Sequence, residues 1–302
     1  MVRTIAGSYL ADMTLEQLRI FVAVAERQHV TRGAEAAHVT QSAASNAVAS
    51  LEARHGTALF DRVGRGIELT EAGALFLVEA RAILAMAQAA ERLLMEFGDL
   101  RRGALRLVAS QTIASYWLPA RLAAFHRRFP HIEIQLLIDN SEGAAARVVD
   151  GVAELGFVEG VIDAPALANW RVGEDRMVLV SAITVESVDV SWLRQARWIV
   201  RERGSGTRST FEEVARRLGL DPDGFEIAMT LPSNEAVRGA VEAGAGVAVL
   251  SELVVRSSVA TGCLHALPFA MPARPFFALR HKERYGTRAS DAFVGLLKED
   301  RP

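Results

Sequence analysis

The chain has 302 residues, 50% of them hydrophobic, with a formal net charge of −2 and a pI of about 6.4. That length holds two or three domains with real cores, and the near-neutral charge excludes a protein that holds nucleic acid by bulk positive charge. The single cysteine, Cys263, excludes an internal disulfide or a cysteine-rich zinc site, and there is neither a signal-peptide pattern nor an apolar run of about 18 residues that reads as a membrane span.

Residues 1–12 carry no clear pattern and are expected to form a disordered lead, with Met13 a candidate start. Residues 15–26 place Leu18, Phe21, Val22 and Ala25 on one helical stripe. Residues 34–51 then spell a short helix, a tight turn at His38-Val39-Thr40, and a second helix exposing Gln41, Ser42, Ser45, Asn46 and Ser50. Thr31 and Thr40 are the expected N-caps of the two helices. Such a pair can set its second helix in the major groove, where Gln and Asn bond adenine bidentately and Ser bonds any base edge. An Ala-rich helical hairpin buried in a core is the alternative. Downstream, the Gly64-Arg65-Gly66 turn between short apolar stretches reads as a hairpin. A hairpin directly after a helix-turn-helix is a wing, and Arg62 and Arg65 can reach phosphates or the minor groove.

The ordered run FVAVAE, AAHVTQSAASNAVASLE, LFDRVGRG and LTEAG, within residues 18–73, resembles the N-terminal domain of the LysR-type transcriptional regulators. The resemblance implies base contacts from Thr40, Gln41, Ser42, Ser45, Asn46 and Ser50, with Arg32, Arg62 and Arg65 on the backbone. Three positions depart from the family's pattern: Gly33 lies inside the second helix, where glycine costs roughly 1 kcal/mol against Ala, Asn46 stands where a basic residue is frequent, and Glu68 lies on a usually more basic wing.

Residues 71–97 read as one long helix without proline. Phe76, Ile83, Met86, Ala90, Leu93 and Phe97 form a coiled-coil-like seam, broken by Glu79. In the family this is the linker and dimerisation helix, which implies a homodimer or homotetramer through Phe76, Ile83, Met86 and Leu93 and an interrupted palindrome as double-stranded operator. Residues 98–103 form a polar, glycine-bounded hinge.

Beyond the hinge, strands are expected at 104–109, 132–138, 155–158, 177–180, 198–201, 226–230, 246–250 and 274–280. Helices are expected at 115–129, 143–150, 209–218, 234–243 and 288–298. Repeated βαβ units imply an open, mostly parallel sheet with helices on both faces. The order resembles the LysR effector domain, which has the periplasmic-binding-protein fold and crosses between two subdomains twice. Those crossings are placed near Gly173 and Pro268.

The expected fold is therefore multidomain α and α/β: a winged helix-turn-helix at 13–70, a linker helix at 71–100, and a periplasmic-binding-protein-like effector domain of two α/β subdomains at 103–302. Subdomain I takes about 103–173 and 269–302, and subdomain II about 174–268.

Ligands in such folds sit at the carboxyl ends of strands, where helix N-termini present free N–H groups. Three segments qualify: Ser110-Gln111-Thr112, Asn140-Ser141, and the residues from Arg201 through Gly204 and Ser205 to Thr207. Asn234 extends the far wall. Each segment also suits plain helix capping, but their convergence on strand ends favours a shared cleft. The third segment, RERGSGTR, resembles the REPGSGTR motif of LysR members controlling carbon-dioxide fixation and sulfur metabolism, with Arg203 in place of proline. That resemblance implies a small anionic or polar metabolite as effector.

Enzyme patterns are missing. The G-x-S-x-G spacing, the dinucleotide fingerprint, the P-loop and H-E-x-x-H are all absent from the sequence. The seven histidines show no paired ligand spacing, and the four tryptophans are assigned to packing. The sequence thus describes a cytoplasmic, non-enzymatic, LysR-type DNA-binding regulator without metal or cofactor, controlled by a small effector and acting on RNA polymerase. The rival reading is a small-molecule binding protein whose N-terminal helices contact another protein.

Overall fold

The computed structural model describes residues 13–64, 66–96 and 103–299. It divides into two compact units, residues 1–91 and 92–302. The expected lead at 1–12, Arg65 of the wing, Phe97 and most of the hinge lie outside the described residues, as does the side chain of Leu93.

In the N-terminal unit, α1 (Leu15–Arg27) opens with a reciprocal capping box between Thr14 and Gln17. Helix α2 (Val30–Ala36) follows, and α3 (Gln41–His55) is capped by Thr40, whose hydroxyl accepts from the Ala43 N–H at 3.2 Å. The expected Thr31 cap is corrected: α2 starts earlier, and the His29 ring accepts from the Arg32 N–H instead. Gly33 also gains a reason. A Cβ there would sit 2.5 Å from Val24 Cα, so glycine is what lets α2 close onto α1. The wing is the antiparallel hairpin β1 (Phe60–Val63) and β2 (Gly66–Leu69), with Val63 opposite Gly66 across a turn in which Gly64 has φ +59°. Glu52 fastens it to α3 by accepting from the Leu59 and Phe60 N–H groups at 2.8 and 3.2 Å.

Phe21 is fully buried at the centre, 5.5 Å from the Phe60 ring and 4.9 Å from Phe76. Helix α4 (Glu71–Glu96) supplies that last contact. Here the expected seam is divided. Phe76 and Ile83 pack against their own domain's core, whereas Met86 is exposed with Leu75 and Val78. Helical periodicity puts those three on a common face.

The C-terminal unit begins with β3 (Gly103–Ser110), a π-helical turn at Ile113–Trp117, and α5 (Leu118–Arg128). Next come β4 (Ile132–Asp139), α6 (Ser141–Val149), β5 (Leu155–Glu159) and the long β6 (Leu167–Ser181). Then follow α7 (Val190–Gln195), β7 (Arg197–Arg201), α8 (Gly206–Arg217), β8 (Glu226–Leu231) and α9 (Asn234–Glu242). The chain ends with β9 (Ala248–Ser251), α10 (Glu252–Ala260), β10 (His265–Ala266), β11 (Ala273–His281) and α11 (Arg288–Glu299).

Strand order is β10-β6-β11-β5-β3-β4, with β9 also on β6 and a separate parallel pair β7-β8. The expectation of a mostly parallel sheet needs correction. Among the described residues, the parallel ladders are β3/β4, β3/β5 and β7/β8; β6 and β11 run antiparallel to their neighbours. Strand β6 also begins ten residues before its expected Met177. Its first part pairs β11 as far as Arg176, and Met177 to Val180 pair β9. One strand therefore serves two halves, each with its own core: Phe125, Phe157, Phe276 and Phe293 in one, Met177, Trp198 and Phe211 in the other.

Candidate functional site

Two sets of polar residues include those named from the sequence. The first lies on the N-terminal unit. Gln41, Ser42, Ser45, Asn46 and Ser50 are all exposed, while Ala44 and Leu51 on the opposite face of α3 are buried. Gln41, Ser45 and Arg62 line a concavity of about 410 Å³ between α2, α3 and the wing. His29 and Thr31 line it too; sequence reasoning gave neither a role there. Ser42 shares a 3.1 Å hydrogen bond with the capping Thr40 hydroxyl, and Ser50 stands apart, accepting from Gln17 Nε2 at 3.4 Å. Arg32 is exposed on α2. The uncharged rim and one described wing arginine suit base edges and phosphates rather than a metal or a small hydrophobic ligand.

The second set lies where the two halves of the C-terminal unit face each other. Arg201 ends β7 and is 4% exposed. Its Nη1 donates to Gln111 Oε1 at 3.0 Å and to Asn234 Oδ1 at 2.6 Å. Its Nε and Nη2 both donate to the Glu202 carboxylate at 2.8 Å. Gln111, just past β3, also accepts from the Asn234 backbone N–H at 2.7 Å and donates to Glu235 Oε2 at 2.7 Å. Tyr116 donates to the other Glu235 oxygen at 3.1 Å; beside that carboxylate, burial first and then its charge push the phenol pKa up. Gln111 and Arg201, expected at two strand ends, and Asn234, expected on the far wall, are thus hydrogen-bonded to one another across the junction.

Beneath them is a buried ionic cluster that the sequence did not reveal. Arg274 donates from Nη2 to Asp175 Oδ2 at 2.6 Å and from Nη1 to Thr207 Oγ1 at 3.3 Å, with Glu159 Oε1 at 3.7 Å. All three ionic side chains are 3% exposed or less. Ser141 donates to Glu159 Oε2 at 2.7 Å, and the nearby Ser110 and Thr112 hydroxyls also favour the charged carboxylate; Thr112 Oγ1 accepts from Asn234 Nδ2 at 3.0 Å. Burial pushes the Glu159 pKa up, but Arg274 and the three hydroxyls outweigh it and hold it below the ordinary value. Asp175 goes the other way: burial raises it, Arg274 and Ser251 oppose that, and the Glu159 charge adds to the rise. One guanidinium thus faces two carboxylates whose surroundings shift them in opposite directions.

Ser110, Thr112 and Ser141 therefore face an internal carboxylate. Asn140 caps α6 through the Gly143 N–H at 2.8 Å and donates to the Arg203 carbonyl at 3.4 Å. Gly204, at φ +83°, leaves its carbonyl to the Glu142 N–H at 3.2 Å. Ser205 is buried at the start of α8 with no side-chain capping bond. Gly206 is required beside it, because a Cβ would stand 2.9 Å from the Glu159 Cβ.

Two family models cover nearly all of this architecture. Residues 15–74 match the bacterial regulatory helix-turn-helix protein, lysR family, and residues 98–302 match the LysR substrate binding domain. The chain belongs to the LysR family. This LysR-type transcriptional regulator, with its helix-turn-helix and effector-binding domains, is 34% identical over 288 residues to the uncharacterized HTH-type transcriptional regulator YeiE of Escherichia coli K12, covering 93% of this chain and 96% of the relative. It is 30% identical over 290 residues to a probable RuBisCO transcriptional regulator of Nostoc sp. PCC 7120, covering 93% and 86%. That relative belongs to the carbon-fixation branch to which the RERGSGTR motif pointed. The regulatory domain of Synechocystis PCC6803 CcmR, solved in complex with 2-PG, has the same fold, with a TM-score of 0.60 at 23% identity over 66% of this chain and 97% of that one. Among the described residues of the LysR regulator, no helix is long and apolar enough to cross a membrane.

Proposed function

We propose that this LysR-type regulator binds an interrupted palindrome in double-stranded DNA as a dimer or a pair of dimers. Gln41, Ser42, Ser45 and Asn46 read base edges, and Arg32, Arg62 and Arg65 hold phosphates. The cleft between a subdomain I of about 103–173 and 269–302 and a subdomain II of about 174–268 takes a small anion. Arg201 is its main partner, with Gln111 and Asn234 orienting it. Preference of the anion for one cleft geometry shifts the spacing of the paired reading helices, and so DNA bending and RNA polymerase access, in the cytoplasm.

The observation that supports this reading most is the buried guanidinium of Arg201, bonded by Gln111 and Asn234 on one edge and by the partly exposed Glu202 carboxylate on the other. A guanidinium fork suits carboxylate and phosphate, and a lysine in its place offers a point charge without the planar pair of parallel donors. Arg201→Lys should therefore weaken anion binding by about tenfold or more, while operator affinity without effector stays native. Titration calorimetry with 2-PG, sulfate and inorganic phosphate measures the first, and gel-shift assays the second. Equal anion affinity in the variant would remove Arg201 from the effector site.

A further inference from the structure

We infer that Glu202 is a resident counter-ion of Arg201 which the effector must displace, so that this cleft loads its ligand by exchanging one carboxylate for another anion; the inference rests on the anionic-effector reading above. Arg201 is nearly inaccessible, with 5% of its side chain exposed, whereas 28% of the Glu202 side chain is exposed. The guanidinium is thus fixed and the carboxylate has somewhere to go. Glu202 holds the Nε/Nη2 edge with two bonds of 2.8 Å, the edge that makes the forked pairing with an oxyanion. The other edge is already met by the neutral oxygens of Gln111 and Asn234. An incoming anion gains a charged fork only on the side that Glu202 occupies.

The second carboxylate of the junction is no alternative. Glu159 is 4% exposed, ringed by the Ser110, Thr112 and Ser141 hydroxyls and faced by Arg274. Releasing it would strand a buried charge. It also holds the Ser141 hydroxyl, while Thr112 accepts from Asn234, which leaves Arg201 as the charged contact to be contested. Because Glu202 is the next residue along the chain, its effective concentration at Arg201 is high and independent of solution conditions. Effector affinity is then the intrinsic affinity scaled down by the small fraction of time Glu202 is away. Such a tethered competitor raises the effector concentration at which the regulator responds, without altering which anion it prefers.

Glu202→Gln keeps the size of the side chain, removes its charge and leaves one accepting oxygen where the carboxylate has two. Titration calorimetry on the full-length protein with sulfate, inorganic phosphate and 2-PG separates the outcomes. The variant should bind at least one of these about tenfold more tightly than the native chain, and Glu202→Asp, which keeps the charge, should stay close to native. If the native chain binds and Glu202→Gln binds no better, the exchange is wrong while the anionic effector stands. If Gln and Asp variants tighten equally, the charge is not the competitor, and the exchange is again overturned. If neither the native chain nor Glu202→Gln binds any of the three, the exchange and the anionic reading fall together.

Discussion

Replacing Arg274 by Met should destabilise the C-terminal unit by about 3–5 kcal/mol, the range for removing one partner of a buried ion pair. The substitution preserves most of the volume, so packing alone predicts little change. What it removes is the only cation within 4 Å of Glu159 or Asp175 among the described residues. Both carboxylates are at most 5% exposed, and neither can turn to solvent without opening the β5, β6 and β11 ladders that carry them. Neutralising the partners as well, in Glu159→Gln/Asp175→Asn/Arg274→Met, should recover most of the loss, because the penalty belongs to stranded charge rather than to a missing contact. Chemical denaturation followed by tryptophan fluorescence measures this, since Trp117, Trp170, Trp192 and Trp198 all lie in the C-terminal unit. A single-variant loss below about 1 kcal/mol would show the cluster to be solvated.

Phe21→Ala should act as strongly on the other unit. Phe21 is 0% exposed and joins α1 to the wing through Phe60 and to α4 through Phe76. Truncating such a ring costs about 3–5 kcal/mol in lost burial and residual cavity. The small cores at Leu18, Ala25, Leu51 and Leu59 have little beside them to collapse into the space. The N-terminal helices should melt first, seen as loss of far-ultraviolet circular dichroism ahead of any change in tryptophan fluorescence. A native-like transition in both signals would contradict the central place given to Phe21.

The two units differ in how much of them was legible in sequence. The N-terminal domain is built from local signals. Thr40 precedes its helix, the Leu18 and Phe21 stripe lies on one face, and Gly64 marks the wing turn. Each is decided within a few residues, so the sequence carries it directly. The misses there are also local: a histidine is a less common cap than Thr31 would have been, and Gly33 looks unfavourable until Val24 is seen against it. In the effector domain, the sequence names Gln111, Arg201 and Asn234, which lie together at the junction. The ionic cluster beneath them did not show, because Glu159 and Arg274 are 115 positions apart and meet only through the β5/β11 pairing. A lone charge in an otherwise apolar strand, such as Glu159 in LGFVEG or Arg274 beside PFFAL, is the one hint available. The early part of β6 carries no expected element because its polar residues, Asn169, Arg171 and Glu174, interrupt any apolar run before β11 is there to pair with them. The linker seam is divided for a related reason: periodicity identifies an apolar face but not that Phe76 and Ile83 pack partly against their own domain.

The central claim, that α3 reads DNA sequence, is tested most directly by genome-wide pull-down of bound DNA with the native protein and with a Gln41→Ala/Ser42→Ala/Ser45→Ala variant. These side chains are exposed and make no core contact, so the variant should fold as the native chain does. The native protein should enrich an interrupted palindrome and the variant should lose that enrichment, each bidentate base contact being worth about 1–3 kcal/mol of discrimination. Equal enrichment of the same sites by both proteins, or enrichment of no sequence by either, would contradict it.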